Sequence, residues 1–192
     1  MKLYDISQEV FSCAVYPGDP APEKQLLSST AAGDLYNLTA FSMCAHNVTH
    51  VDAPFHFLPE GKTVGQLPLE IFVGDCHVAR REGDVTAADA AAILRSAGDV
   101  RRILIAGNCT VTEEAARVFA ASGILLLGNE SQSVGPEDAP MAVHCALLSR
   151  GIALLEGLVL TQVPEGRYFL CAAPLNLSGA DGAPCRALLI GQ

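Results

Sequence analysis

The chain has 192 residues, of which 17% are charged and 50% are hydrophobic, and its formal net charge is −9. This acidic balance, with basic clusters no larger than Arg80-Arg81 and Arg101-Arg102, excludes a nucleic-acid groove, and no apolar run approaches the ~20 residues that span a bilayer. We therefore expect one domain over residues 1–192 that binds a small molecule, and a cytoplasmic location because residues 1–11 lack a signal-peptide apolar core.

Strands and helices alternate along the middle of the chain, after a first 60 residues rich in strands and loops. The pattern predicts strands at 73–79, 102–107 and 124–128 and helices at 86–98 and 112–123. Thr86 with Asp89 forms a capping-box pattern, and Thr112 is placed to cap the second helix. This alternation predicts parallel strands joined by right-handed crossovers.

The C-terminal part adds a short helix and three more strands. The helix is predicted at 141–151, closed by Gly151, and the strands at 152–158, 167–177 and 185–190. The fold class is therefore α/β with a mixed sheet, in which ligands bind on loops beyond the strand ends. A mean hydropathy of +0.31, spread over many short segments, indicates further surface buried in an oligomer.

The stretch CAHNVTHVDAPFHF, residues 44–57, holds three of the five histidines. A helix would place His46 and His50 on one face but turn Asp52 and His56 away, and Pro54 disfavours a helix. An extended segment puts all four side chains on one side, yet a straight strand would separate residues 46 and 56 by roughly 33 Å. We therefore predict an extended segment that curls around a single point.

Two imidazoles and a carboxylate form a ligand set suited to Zn²⁺, Mn²⁺ or Fe²⁺, and the carboxylate can bridge to a second ion. The competing interpretation is a polar turn with structural histidines, and the combined spacing favours the metal. The seven cysteines are dispersed, without a Cys-x-x-Cys pair, which fits neither a disulfide framework nor a thiolate zinc site. His77, in a strand pattern without a partner, is interpreted as structural.

The stretch HNVTHVDAPFHF resembles the pattern His-x-Gly-Thr-His-x-Asp-x-Pro-x-His of the cyclase family of metal-dependent hydrolases, which includes bacterial kynurenine formamidase and isatin hydrolase. Further stretches resemble other parts of the family in the same order along the chain: YDISQEV and VYPGDP, LLLGNESQSV, HCALLSRGIALLEGL, and GRYFLCAAPLNLSGADGAPCRALL. The resemblance implies a swivelling β/β/α architecture and assembly as a homodimer or larger homo-oligomer.

The resemblance also implies two divalent ions per subunit, Zn²⁺ or otherwise Mn²⁺. By position it assigns the ligands His46, His50, Asp52, His144 and Glu156. Asp52 would bridge the two ions and Glu156 would contact both. The positions of His144 and Glu156 support their assignment independently of the resemblance. His144 lies near the start of a predicted helix and Glu156 near the end of a predicted strand, and the ends of such elements are where site residues lie in open α/β sheets.

His56 is implied to be the general acid/base beside the metals. A neutral imidazole there can take a proton from water and deliver it to a leaving nitrogen. The expected activity is therefore hydrolysis of an amide, formamide or cyclic amide C–N bond, as in an arylformamidase. Two alternatives stay open: a lyase or dehydratase with the same metals, and a catalytically spent metal- or ligand-binding protein. The presence of both His56 and Glu156 favours an enzyme.

Four features depart from the family pattern. Val48 replaces the usual Gly, which is tolerable if its backbone is extended, and Glu130 replaces an Asp. Tyr16 replaces a Trp that stacks on the substrate of kynurenine formamidases; it can stack too, or serve only in packing. The short connection 107–112 replaces a longer loop that often lines the substrate pocket in relatives. The absence of this loop should open or reshape the pocket. These departures weaken the case for N-formylkynurenine as substrate.

Overall fold

A computed structural model describes residues 1–191 and contains thirteen strands and three α-helices. The strands are β1 (Lys2–Asp5), β2 (Glu23–Ser28), β3 (Leu38–Ser42), β4 (His50–Asp52), β5 (Val73–Arg80), β6 (Gly83–Val85), β7 (Arg102–Ala106), β8 (Cys109–Val111), β9 (Leu126–Asn129), β10 (Ala153–Glu156), β11 (Gly166–Cys171), β12 (Gly182–Pro184) and β13 (Leu188–Gly191). The helices are α1 (Ala87–Ala97), α2 (Glu113–Ala121) and α3 (Met141–Leu148).

Nine strands form one curled mixed sheet in the order β1-β13-β11-β5-β7-β9-β10-β4-β12. The central strands β5, β7, β9 and β10 run parallel, and the strands on both sides of them pair antiparallel. The predicted α/β class with a mixed sheet is therefore confirmed. Two small sheets, β2–β3 and β6–β8, lie outside the main one.

The helices begin where their caps predict. In α1 the Thr86 hydroxyl accepts from the Asp89 N–H while the Asp89 carboxylate accepts from the Thr86 N–H, so both backbone donors are satisfied. In α2 the Thr112 hydroxyl accepts from the Ala115 N–H. None of the helices within residues 1–191 is long and apolar enough to cross a membrane.

Buried side chains alternate between the two faces of the main sheet. On β7, Ile103 and Ile105 pack with the helices, whereas Leu104 belongs to the cluster on the opposite face. The same alternation on β10 sends Leu154 to the helical face and Leu155 to the other. The sheet is therefore buried on both sides, which explains the continuous apolar runs of its central strands.

Several predicted boundaries need correction. The strand predicted at 167–177 ends at Cys171, before Pro174, which cannot donate to a ladder. The strand predicted at 185–190 begins only at Leu188, and residues 182–184 form the separate edge strand β12. The connection 107–112 is not a plain loop, because Cys109–Val111 pairs with β6 as a parallel strand.

Candidate functional site

Neighbouring strands bring two predicted site carboxylates together. β4 pairs antiparallel with β10, so that His50 lies opposite Glu156 and Asp52 opposite Leu154. Leu154 belongs to the helical face, and directly opposed residues project to the same side of a sheet. His50, Asp52 and Glu156 therefore point toward the helices, where α3 supplies His144. The predicted curl of residues 46–56 arises because β4 is followed at once by a 3₁₀ turn over Pro54–His56.

At the centre of the site, each of two imidazoles faces both carboxylates. His50 Nε2 lies 3.4 Å from Asp52 Oδ1 and 3.5 Å from Glu156 Oε2. His144 Nε2 lies 3.5 Å from Asp52 Oδ2 and 3.3 Å from Glu156 Oε1. All four residues are buried, none more than 3% exposed. Charged groups this deep in a protein need partners.

Backbone carbonyls fix both of these rings. His50 Nδ1 donates to the Val48 carbonyl at 2.9 Å, and His144 Nδ1 donates to the Pro140 carbonyl at 2.8 Å. Because a carbonyl only accepts, each Nδ1 carries the proton and each neutral ring presents Nε2 as a lone pair. This is the arrangement that metal-ligating histidines adopt. Glu156 Oε1 is held in turn by the Val134 N–H at 2.7 Å.

Val48 does not have the extended backbone under which the sequence analysis expected a valine to be tolerated at this position. Its φ is 60°, and it is the one non-glycine residue with positive φ among those described. For a β-branched side chain this left-handed conformation is strained. The Gly usual at this position in the family pattern would adopt it freely. The conformation belongs to the site, because the Val48 carbonyl is the acceptor that orients His50.

The other two histidines of the cluster lie beside this centre and meet at Asp181. His46 Nδ1 lies 2.8 Å from Asp52 Oδ1, and its Nε2 lies 2.8 Å from Asp181 Oδ2. His56 Nδ1 lies 3.1 Å from the same Asp181 oxygen. The rings of His46 and His56 stack with their centroids 4.0 Å apart. All six predicted metal and acid/base residues are thus brought together.

Asp181 was missed by the sequence analysis, which gave no role to any residue of the C-terminal stretch GRYFLCAAPLNLSGADGAPCRALL. The available signal was a single acid in a glycine-rich turn of the C-terminal stretch. The next residue, Gly182, is required by packing, since a Cβ there would lie 2.7 Å from His46 Cε1 and 2.7 Å from the Val51 carbonyl oxygen. The Asp181-Gly182 pair therefore lets β12 approach His46 closely.

The buried charges strongly perturb the pKa values of the metal-free site. Burial by itself lowers the pKa of His50 and of His144, but the neighbouring carboxylates of Asp52 and Glu156 outweigh it and raise each pKa to about 10. Burial raises the pKa of Asp52, but its imidazole partners more than offset this and hold that pKa well below the usual range. Protons on the imidazoles therefore neutralise the carboxylates whenever no other cation does so.

The donor set fits divalent cations. Contacts of 3.3–3.5 Å are long for hydrogen bonds. They match the spacing of about 3.4 Å between two ligands on one tetrahedral ion with bonds of about 2.1 Å. Asp52 Oδ2 is buried and has no hydrogen-bond partner within the described residues. Two groups of three side chains converge closely enough to hold an ion: His50, Asp52 and Glu156, and His46, Asp52 and His56.

A cavity of about 420 Å³ opens onto these side chains. Tyr16, Asp19, Phe57, Gln132 and Pro140 contribute to its walls. The Tyr16 hydroxyl donates to the Glu137 carbonyl at 2.5 Å, which ties the N-terminal loop to the loop before α3. Tyr16 thus has a packing role and also borders the cavity.

Glu130 lies beside the site rather than in it. Its Oε2 accepts from the Gly107 N–H at 2.6 Å, and its Oε1 accepts from the Leu160 N–H at 2.7 Å. Glu130 directly follows β9, and its side chain thus joins the segments that follow β7 and β10, the two strands on either side of β9. His77, on β5, takes no part in the cluster.

Comparison with known proteins decides the family. The sequence profile of the cyclase family matches residues 4–136. The chain belongs to the cyclase family. It is 33% identical to the kynurenine formamidase of Paracidovorax citrulli (strain AAC00-1), over 97% of this chain and 95% of that protein. The resemblance inferred from the sequence motifs is therefore confirmed.

Two solved structures share the fold. One, described as a "potential metal-dependent hydrolase with cyclase activity", is 30% identical, with a TM-score of 0.84 over 98% of this chain and 96% of that one. Isatin hydrolase A from Labrenzia aggregata, bound to benzyl benzoate, is 22% identical, with a TM-score of 0.84 over 100% of this chain and 94% of that one. The fold is thus shared well beyond the range of close sequence similarity.

Proposed function

We propose that the protein is a metal-dependent hydrolase that cleaves the C–N bond of a formamide or cyclic amide, in the manner of an arylformamidase. The observation that carries the proposal is the buried centre in which Asp52 and Glu156 each face the Nε2 atoms of His50 and His144. The family relatives named kynurenine formamidase and isatin hydrolase support the bond type.

The proposed ligands are His46, His50, Asp52, His144 and Glu156. Asp52 is suited to bridge two ions, because its Oδ1 faces His46 and His50 while its Oδ2 faces His144. A mixed nitrogen and oxygen donor set suits Zn²⁺ and also Mn²⁺. When bound, a divalent ion supplies a Lewis acid that polarises the carbonyl under attack and acidifies water.

The chain's own residues complete the chemistry. His56 borders the cavity with 27% of its side chain exposed, and we assign it to proton transfer from water to the leaving nitrogen. Tyr16, on the cavity wall, is proposed to stack on the substrate. No lysine or arginine lines the cavity among the described residues, so a substrate carboxylate would find neither of these side chains to pair with there.

Two further features belong to this proposal. Four large hydrophobic residues of the hairpin β2–β3 and its connecting loop are each 53–60% exposed: Leu26, Leu27, Tyr36 and Phe41. This exposed apolar surface supports assembly of identical subunits through the hairpin. All seven cysteines are free, which supports a reducing compartment such as the cytoplasm. Sedimentation velocity of the purified protein tests the assembly: a monomer at micromolar concentration would contradict it.

Paired histidine variants test the function. We expect His50→Ala to lose Zn²⁺, because it removes a buried ligand, and His56→Ala to retain Zn²⁺ but lose turnover by about 10²–10⁴-fold. His77→Ala, outside the site, is the matched control. The measurements are metal content and hydrolysis of N-formyl arylamines, isatin-like lactams and small lactones. Full metal occupancy in His50→Ala would contradict the ligand assignment. Full loading without hydrolysis of any substrate would favour a lyase or a binding protein instead.

A further inference from the structure

We propose that Asp181 is a positioning residue that orients His46 and His56 together through one carboxylate oxygen, and this inference rests on the proposed function. Oδ2 of Asp181 lies 2.8 Å from His46 Nε2 and 3.1 Å from His56 Nδ1. One carboxylate oxygen has lone pairs enough to accept from both rings. The same atom therefore joins a candidate metal ligand to the candidate acid/base.

The contacts specify where the ring protons lie. Since a carboxylate only accepts, His56 carries a proton on Nδ1, and in the neutral ring its Nε2 is the free base. Within the described residues, His56 Nε2 has no hydrogen-bond partner, whereas Nδ1 is bound. Asp181 thus selects the tautomer of His56 that can accept a proton from water.

For His46 both ring nitrogens face carboxylates at 2.8 Å, Nε2 facing Asp181 Oδ2 and Nδ1 facing Asp52 Oδ1, so the metal-free ring carries a proton on each. A cation shared with Asp52 would replace the proton on Nδ1, while Nε2–H would still donate to Asp181. A carboxylate that accepts from the second nitrogen of a metal-bound imidazole fixes the ring and increases its basicity. His46 then stacks on His56 at 4.0 Å, so the two orientations depend on each other.

The backbone holds Asp181 in place independently of these histidines. Its carbonyl accepts from the Ala53 N–H at 2.9 Å, and the following residue, Gly182, pairs with Asp52 in the β4–β12 ladder. The side chain is 41% exposed, so its replacement opens no buried void. Loss of the carboxylate should therefore affect the two rings much more than the fold.

The test compares Asp181→Ala and Asp181→Asn with the matched control Asp84→Asn, an exposed acid on β6. Nitrogen-15 NMR of the Zn²⁺-loaded protein, labelled in histidine, reports the tautomer of His56. We expect the Nδ1–H form in the wild type and the control, and a mixture of both forms in Asp181→Ala. The near-isosteric Asp181→Asn variant provides the same readout should the Ala variant fail to fold.

Zinc affinity and kinetics complete the test. We expect Asp181→Ala to bind Zn²⁺ about 10–100-fold more weakly in competition with a chromophoric chelator. We also expect kcat to fall at least 10-fold while KM changes less than about 3-fold. An Nε2–H His56 in the wild type, or zinc affinity and tautomer unchanged in both variants, would overturn the role of Asp181. The NMR and affinity readouts need no substrate, so they decide this even if no substrate is hydrolysed.

Discussion

Replacing Val48 tests whether its left-handed backbone is strained. Val48 is 6% exposed, so truncation loses apolar burial, but a glycine there would also release a conformation that costs an L-residue about 1–2 kcal/mol. Val51, three residues on in β4, is completely buried and lies in a strand. The two valines thus form a matched pair that differs in backbone conformation.

The expected magnitudes follow from this difference. At an ordinary buried site, Gly is less stable than Ala by the lost methyl group, about 0.8 kcal/mol. The greater flexibility of Gly adds about 0.5–1 kcal/mol. We therefore expect Val51→Gly to be about 1.5 kcal/mol less stable than Val51→Ala. At Val48, relief of strain cancels this gap, so Val48→Gly and Val48→Ala should agree within about 0.5 kcal/mol.

Equilibrium urea unfolding of the metal-free proteins at one pH measures both gaps. The comparison is valid where the denaturant slopes are equal, because the midpoints then report stability alone. Metal-free protein is used because bound ions add their own binding free energy to the stability. A gap above about 1 kcal/mol at position 48, equal to that at position 51, would show that Val48 is not strained.

Three further predictions concern charge and close packing. Because the pKa values of His50 and His144 are raised to about 10, the metal-free protein should be most stable below pH 6.5 and lose stability as the pH rises toward 10. The apparent Zn²⁺ affinity should rise over the same pH range, because the imidazoles lose the protons that compete with the metal. Urea titrations and chelator competition at several pH values check both trends, and a flat stability profile would contradict them. Glu130→Gln should cost about 1–3 kcal/mol in urea unfolding, since one of two backbone N–H donors loses its acceptor; no measurable change would refute that bridging role. Gly182→Ala should weaken Zn²⁺ binding at least 10-fold by displacing His46, and unchanged affinity would show that the strand can shift to accommodate the Cβ.

The sequence predicted those parts of the fold whose signals are local. The α1 and α2 caps, the central apolar strands and the convergence of residues 46–56 all follow from spacing and residue type. The short strands β6 and β8 were missed, because three residues carry too little periodicity to be distinguished from a loop.

The site was predictable to the same extent. Motif resemblance assigned ligand roles to His144 and Glu156 but no role to Asp181, because only the β4–β12 pairing carries its turn to His46 and His56. The conformation of Val48 was beyond sequence reasoning for a different reason. Nothing local favours this conformation for a valine, and the contacts of its carbonyl come from elsewhere in the fold: a Cβ on Gly157 would lie 2.6 Å from the Val48 carbonyl oxygen.

The pairing of β4 with β10 joins two distant parts of the chain, since Asp52 and Glu156 come from segments about 100 residues apart. Ions shared across it would act as cross-links that close a very long loop, and such links restrict the unfolded chain most. A shortage of the metal in the cell would then do more than abolish activity. It would leave a protein without that cross-link and therefore less stable, so that metal supply would set its lifetime as well as its activity.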